Sequence, residues 1–400
     1  MQHSKLKNAS VNQRYLVVLG HFGHMGGAER QAFHLIQYLR RERDAKVAVL
    51  GWYGTEGQLA DTLRDWGCEI FRFPYKEVAR PTAKALNLLR LAWFIRSQIR
   101  PECILPFVAV HSKPICQIWR LTGARYAWWN QQDEGRWLYG TRAERHALLN
   151  AVHITSNSNA GSDFISRTYD IPAERILTYN NGTVLPVLSS IKPIWRDQLS
   201  ITQETPLVCM VANVTPFKDY ETLLKAWRIV LNRYISESKP APILAIAGHL
   251  REKAHVNKLK VFAFDLELGP SVKFLGSIDS TNELMWESNL VVHSSINEGC
   301  PNSVCEAMAL GKPVVATNIP GTRQAIGKSI WAECLSAPQD AKELANQILK
   351  FLSDQALAAN VGALNRQQIK DNFSISRMCS FFMSLLDKTQ TQRSGRSDRS

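Results

Sequence analysis

The stretch His293–Gly311, HSSINEGCPNSVCEAMALG, with its continuation Lys312–Gly321, KPVVATNIPG, decides how this chain is read. The apolar run Leu290–His293 is strand-like, a polar loop with Gly299 and Pro301 follows, and the pattern turns helical near Asn302. Glu298 and Glu306 stand eight residues apart. One lies in the loop and the other about two turns into the helix, so they are not neighbours on one helical face. Each can therefore reach a different part of one ligand. Around Gly299, Cys300, Pro301, Asn302 and Ser303, backbone N–H groups that the helix does not use offer a surface for anions and hydroxyls.

The surrounding rhythm is strand, then helix, repeated. Upstream of the key stretch, Leu207–Val211, Pro242–Ala247 and Val272–Leu275 are short apolar strands, and Pro313–Thr317 follows it. Helices are expected over Asp219–Asn232, with Asp219 as N-cap, and over Arg251–Asp265, Asn302–Leu310 and Ala341–Leu352. An earlier series has strands at Tyr15–Leu19, Ala45–Leu50, Glu69–Phe73, Cys103–Val108, Arg125–Trp129 and Ala151–Thr155. Its helices are expected over Ala28–Arg40, Pro81–Gln98, Lys113–Leu121 and Arg142–Leu149. Such alternation implies parallel sheets with helices on both faces. Proline-bearing sequence around Pro186 and Pro193 separates the two series. The expectation is an α/β chain of two doubly wound, Rossmann-like domains facing across a cleft, with boundaries at 1–188 and 189–372. A helix at about 373–388 is expected to pack back on the first domain, and 389–400 to be a disordered basic tail.

Composition agrees with this. The chain has 400 residues, 45% of them hydrophobic and 21% charged, which suits two globular cores. No apolar run approaches the roughly 20 residues that span a bilayer, and Tyr15–Leu19 reads as a core strand rather than a signal segment, so a cytoplasmic location is expected. The eight cysteines are scattered without a CxxC pair, which favours reduced, buried thiols over a metal site. A net charge of +13 suits a phosphorylated small molecule or an anionic membrane face, and no nucleic-acid-binding signature accompanies it.

The segment Glu298–Gly321 resembles, almost position by position, the signature EGxPxSxxEAMAxGxPVVATxxxG of glycosyltransferase family 4, the retaining GT-B enzymes of group 1. The resemblance implies that Glu306 binds the nucleotide ribose and that Glu298 contacts hydroxyls of the transferred sugar, with the Gly299–Asn302 backbone nearby. Val211–Asp219, VANVTPFKD, resembles the family's VGRLxxxKG loop and puts Lys218 on the lysine expected to meet the diphosphate. Asn213 stands at the usual arginine and Gln324 where an acidic residue is common. Ser156–Gly182 resembles the family's segment that ends in NG just before the domain crossover, with Asn181–Gly182 as the equivalent.

The first domain resembles the family more loosely. Gly26 and Gly27, in HFGHMGGAER, resemble its glycine-rich loop and allow close approach of a phosphate or the acceptor. His111, just past a strand end in FVAVHSKP, is the candidate catalytic histidine. In YAWWNQQDEGRW, Asn130, Gln131, Asp133 and Glu134 are expected to line an acceptor pocket with aromatic walls. The implied function is transfer of a hexose-type sugar from a nucleoside diphosphate sugar to a glycan or lipid-linked acceptor, as in cell-surface polysaccharide or glycoconjugate synthesis. No metal or other cofactor is expected, nor nucleic acid as a partner, and the aromatics and basic charge also allow peripheral contact with an anionic membrane. The competing readings are a nucleotide-sugar epimerase or glycan phosphorylase on the same fold, and a non-catalytic sugar-nucleotide or partner-binding module.

Overall fold

A computed structural model describes residues 13–397 apart from 21, 23–25, 55, 76–79 and 251. The chain forms two compact units, Met1–Gly182 together with Met378–Ser400, and Thr183–Arg377. Within the described residues each is one wholly parallel sheet with helices between its strands.

The first sheet contains β1 (Arg14–Leu19), β2 (Lys46–Gly51), β3 (Glu69–Arg72), β4 (Cys103–Pro106), β5 (Tyr126–Gln131), β6 (His153–Ser156) and β7 (Ile176–Thr178), in the order β3-β2-β1-β4-β5-β6-β7. The second contains β8 (Leu207–Val211), β9 (Ile243–Ala247), β10 (Val272–Gly276), β11 (Leu290–His293), β12 (Val314–Thr317) and β13 (Leu335–Ser336), in the order β10-β9-β8-β11-β12-β13. Central strands such as Leu16–Leu19 and Leu290–Val292 are buried throughout, because helices cover both faces of a parallel sheet. Strand order reverses between β1 and β4 in one unit and between β8 and β11 in the other. Chains leave these neighbouring strands toward opposite faces, which opens a crevice at their carboxyl ends. Glu298 and Lys218 follow one such pair, and His111 follows the other.

The boundary falls six residues before the expected 188, and the hydrogen bonds show why. Gly182 exchanges two bonds with the Gln31 side chain, its N–H donating at 2.8 Å and its carbonyl accepting at 3.1 Å. The next N–H, of Thr183, donates to the Phe373 carbonyl at 2.7 Å and so belongs to the second unit. The prolines that suggested a later boundary lie within the second unit's entry strap.

The final helix, Ile375–Ser397, runs through residues expected to be a disordered tail, with 398–400 outside the described residues. No proline interrupts QTQRSGRS, so a helix nucleated by upstream packing can propagate into it. That packing is aromatic. Phe382 stacks on Trp128 at 5.7 Å between centroids and meets Tyr179 edge-on at 4.9 Å, while Phe381 stacks on Tyr179. Among the described residues no helix is long and apolar enough to cross a membrane. Phe382→Ala should destabilise the first unit by about 3–5 kcal/mol, the usual cost of truncating a buried aromatic. Urea unfolding followed by tryptophan fluorescence measures it, and a loss below about 1 kcal/mol would show that the helix is an accessory rather than part of that core.

Candidate functional site

Two loops that leave adjacent strands of the second unit build the site. The β8 loop, 212–219, is drawn in by the Tyr220 hydroxyl, which donates to the Ala212 carbonyl at 2.8 Å. Asp219 caps the helix Tyr220–Ser236, accepting from the Thr222 N–H at 3.2 Å. The β11 loop is stitched to it by Ser294, whose hydroxyl donates to the Asp219 carbonyl at 2.8 Å and whose carbonyl accepts from the Asp219 N–H at 3.2 Å. Ser295 adds a bond from its hydroxyl to the Phe217 carbonyl at 3.0 Å, and its N–H donates to Thr317 Oγ1 at 3.0 Å. Gly321 completes the clasp: a Cβ there would run into the carbonyl oxygens of Glu298 and Gly299, so the loop lies directly on its backbone.

These clasps bring Lys218 and Glu298 together as an ion pair, with side chains 16% and 18% exposed. His293 lies beneath, buried, with Nε2 3.3 Å from Lys218 Nζ and 3.4 Å from Glu298 Oε1. Its Nδ1 is 3.5 Å from the Ser303 hydroxyl at the start of the helix Asn302–Ala309. Burial drives the imidazole well below its ordinary value of 6.5, and the Lys218 charge pushes the same way. His293 therefore stays neutral under a pair whose own charges balance. The site is an ammonium group held at a strand end and balanced by a carboxylate, with the start of the helix Asn302–Ala309 beside His293.

The remaining predicted residues sort themselves around this pair. Gly299, Cys300 and Pro301 are buried in the loop, and Asn302, Ser303 and Glu306 are half-buried at the start of the helix. Asn213 is exposed, and its Oδ1 accepts from the His249 N–H at 3.2 Å, so it clips the β8 loop to the β9 loop. The eight cysteines are buried and none forms a disulfide. The sequence reading used His293 only as a strand end. The run of three polar residues, HSS, closing an otherwise apolar strand was the signal for a buried polar network.

In the first unit, His111 sits in the helix Ala109–Ile118, buried. Val108 starts that helix at φ 75°, a conformation that costs a β-branched residue about 1–3 kcal/mol. Its carbonyl repays part of this by accepting from the N–H groups of His111 and Ser112 and from the Ser112 hydroxyl. The His111 Nδ1–H donates to the Phe107 carbonyl at 2.7 Å, which fixes the tautomer and leaves Nε2 as the basic nitrogen. A Cβ on Gly20, at the end of β1, would come within 3.4 Å of Nε2. Gly26 is the N-cap of the helix Gly27–Glu42, and much of the loop before it lies outside the described residues.

Asp133 Oδ1 accepts from the N–H groups of Gly135 and Arg136 and from the Gln131 amide, which makes it the organiser of a tight turn. Further along the same segment, Trp137 and Tyr139 wall a cavity whose lining does not include Asp133 or Glu134.

Residues 191–368 match the family model described as Glycosyl transferases group 1. Among curated proteins, N-acetyl-alpha-D-glucosaminyl L-malate synthase of Bacillus anthracis is 22% identical over 238 residues, 60% of this chain and 56% of that one. The chain spans about a third to just under two thirds of the length of the first curated relatives it matches. Among solved structures, a glycosyltransferase from Rickettsia africae superposes with a TM-score of 0.80 at 17% identity, covering 95% of this chain and 99% of that one. Anabaena Alr3699/HepE in complex with UDP and glucose superposes at 0.77 and 19% identity, covering 94% and 100%. At these identities the structures establish the shared two-unit, Rossmann-like fold.

The buried neutral state of His293 has a pH signature. The unfolded chain takes up a proton as pH falls below about 6.5 and the folded one does not, so this contribution to stability is present above 6.5 and declines as pH drops below it. The urea midpoint of the wild type should fall between pH 7.5 and pH 5 by more than that of His293→Gln. Equal falls would mean that His293 is protonated in the folded state.

Proposed function

We propose that the chain, whose residues 191–368 match the Glycosyl transferases group 1 model, transfers a sugar from a nucleoside diphosphate sugar to a glycan or lipid-linked acceptor. The observation that carries this reading is the Lys218–Glu298 pair held at the β8/β11 switch point beside the start of the helix Asn302–Ala309. In the proposal, the donor's diphosphate takes Glu298's place on Lys218. The displaced carboxylate then accepts hydroxyls of the donor sugar, and Glu306 accepts those of the ribose. One ion pair is thus exchanged for two ligand contacts, and Lys218 is never left facing the buried His293 without a compensating anion.

In the transfer step the bond between the anomeric carbon and the diphosphate oxygen breaks, and an acceptor oxygen bonds to the same carbon. The acceptor's proton passes to the departing diphosphate. Charge gathers on that oxygen as the bond breaks, so a fixed ammonium and helix-start amides lower the barrier where it is highest. Resemblance to retaining enzymes supports attack on the face the diphosphate leaves, with a hexose-type donor and no metal. His111, with its basic Nε2 directed by the Phe107 bond, is the residue proposed to meet a substrate hydroxyl in the first unit. HepE's complexes with UDP and with UDP-glucose make uridine nucleotides the first donors to try.

Lys218→Ala should slow transfer about 100-fold or more, the typical loss on removing a transition-state charge donor, with less effect on donor KM. Glu306→Ala should weaken nucleotide binding about 10- to 100-fold, as expected for a lost carboxylate hydrogen bond. A thermal-shift screen against UDP, GDP and ADP, followed by transfer assays with the selected donor, reads both. Unchanged kinetics and shifts in both variants would sink the assignment. Nucleotide binding without turnover on any acceptor pool would favour the binding-module alternative.

A further inference from the structure

Within the first unit, a cavity of about 340 Å³ opens past the carboxyl end of β2, against the helix Ala109–Ile118. This is the size of a small-molecule site. Five aromatic side chains wall it, Trp52, Tyr53, Tyr75, Trp137 and Tyr139, and Lys84 and Lys113 contribute to the lining. Tyr53, Trp137 and Tyr139 are 56%, 64% and 74% exposed. Scattered exposed aromatics need no explanation, but three converging on one cavity with two ammonium groups do.

Trp52, 2% exposed, forms the buried back of the cavity wall. Its indole packs edge-on against His111 at 4.6 Å between centroids and lies 4.9 Å from Tyr75. The candidate catalytic histidine and the cavity therefore share one side chain as a wall.

The polar side of the cavity is built rather than incidental. Glu144, fully buried, accepts from Lys113 at 3.1 Å and from the N–H groups of Tyr139 and Thr141. One acid thus positions a cavity lysine and the backbone of a cavity aromatic together. Hydrogen bonds from Thr141 and Lys113 hold its carboxyl below the ordinary range against the effect of burial. Flat aromatic faces suit the C–H faces of a pyranose ring, and ammonium groups suit an anionic substituent.

We propose that this cavity seats an acceptor saccharide that carries a negatively charged group, phosphate or carboxylate. The ring lies on Trp137 and Tyr139, and the anion meets Lys84 and Lys113. This rests on the glycosyltransferase reading, in which the first unit holds the acceptor, and it names the class of that acceptor.

Calorimetric titration of the full chain tests it with D-glucose 6-phosphate, D-glucuronate, D-glucose and inorganic phosphate. At least one charged sugar should bind about fivefold or more tighter than glucose or phosphate, since ring and charge are read together. Whichever of glucose 6-phosphate and glucuronate binds tighter identifies the anion as phosphate or carboxylate. Trp137→Ala, at an exposed position, and Lys84→Met should each weaken that binding about fivefold or more. Charged sugars no tighter than glucose or phosphate, or equal binding by Trp137→Ala and Lys84→Met, would overturn the proposal. A UDP thermal shift on the same samples separates the two readings. If it persists while the sugars fail, only the cavity assignment falls. If it is absent while charged sugars bind as expected, the donor reading falls and the saccharide site stands.

Discussion

Lys218 and Glu298 come from loops that follow different strands, and nothing in the chain between them forces them together. They meet because β8 and β11 are neighbours at the point where strand order reverses, so both loops leave the sheet at the same edge. The pair then sets the demands on everything around it. Two charges this well shielded need each other, since removing one partner leaves the other uncompensated at a cost of roughly 3–5 kcal/mol in a buried setting and less in a half-open one such as this. The serines of the two loops, the Thr317 hydroxyl and the bare backbone of Gly321 fix the loops so that the pair forms. The neutral imidazole of His293 lets it form without a third charge.

The first unit applies a similar constraint with different chemistry. β1 and β4 are its reversal point, and the chain leaving β4 turns through Val108 in a conformation that residue resists. The bonds gathered on the Val108 carbonyl stabilise that turn and place His111 against Trp52 and over Gly20. The result is a basic nitrogen and an aromatic-walled cavity side by side. In both units, then, strand order reverses, and a tightly bonded turn fixes the residues that follow the strands at that point.

Much of this was legible in the sequence because it was local. The apolar runs gave the central strands, the EGCPNSVCEAMALG segment gave the loop and helix carrying Glu298 and Glu306, and Asp219 was readable as an N-cap. Edge elements were not legible. β7 and β13, of three and two residues, are too short to show any period. The helix Asn159–Tyr169 hid within a polar segment, although Ser158 caps it by accepting from the Gly161 N–H. A carboxylate that closes a turn, as Asp133 does, and one that meets a ligand look alike in one dimension. The cavity was hidden for the opposite reason: Trp52, Tyr75 and Trp137 become neighbours only through sheet order. The helical tail had no periodic signal, since its helix continues from the packing of Phe381 and Phe382.

In the proposed mechanism a nucleoside diphosphate displaces Glu298 from Lys218. The decisive measurement is a crystal structure of the chain with the nucleoside diphosphate it binds. Phosphate oxygens are expected within hydrogen-bond reach of Lys218 Nζ and of the amides at the start of the helix Asn302–Ala309, with the ribose on Glu306 and Glu298 released from the lysine. A nucleotide bound elsewhere, or one bound there with the Lys218–Glu298 pair still closed, would contradict it.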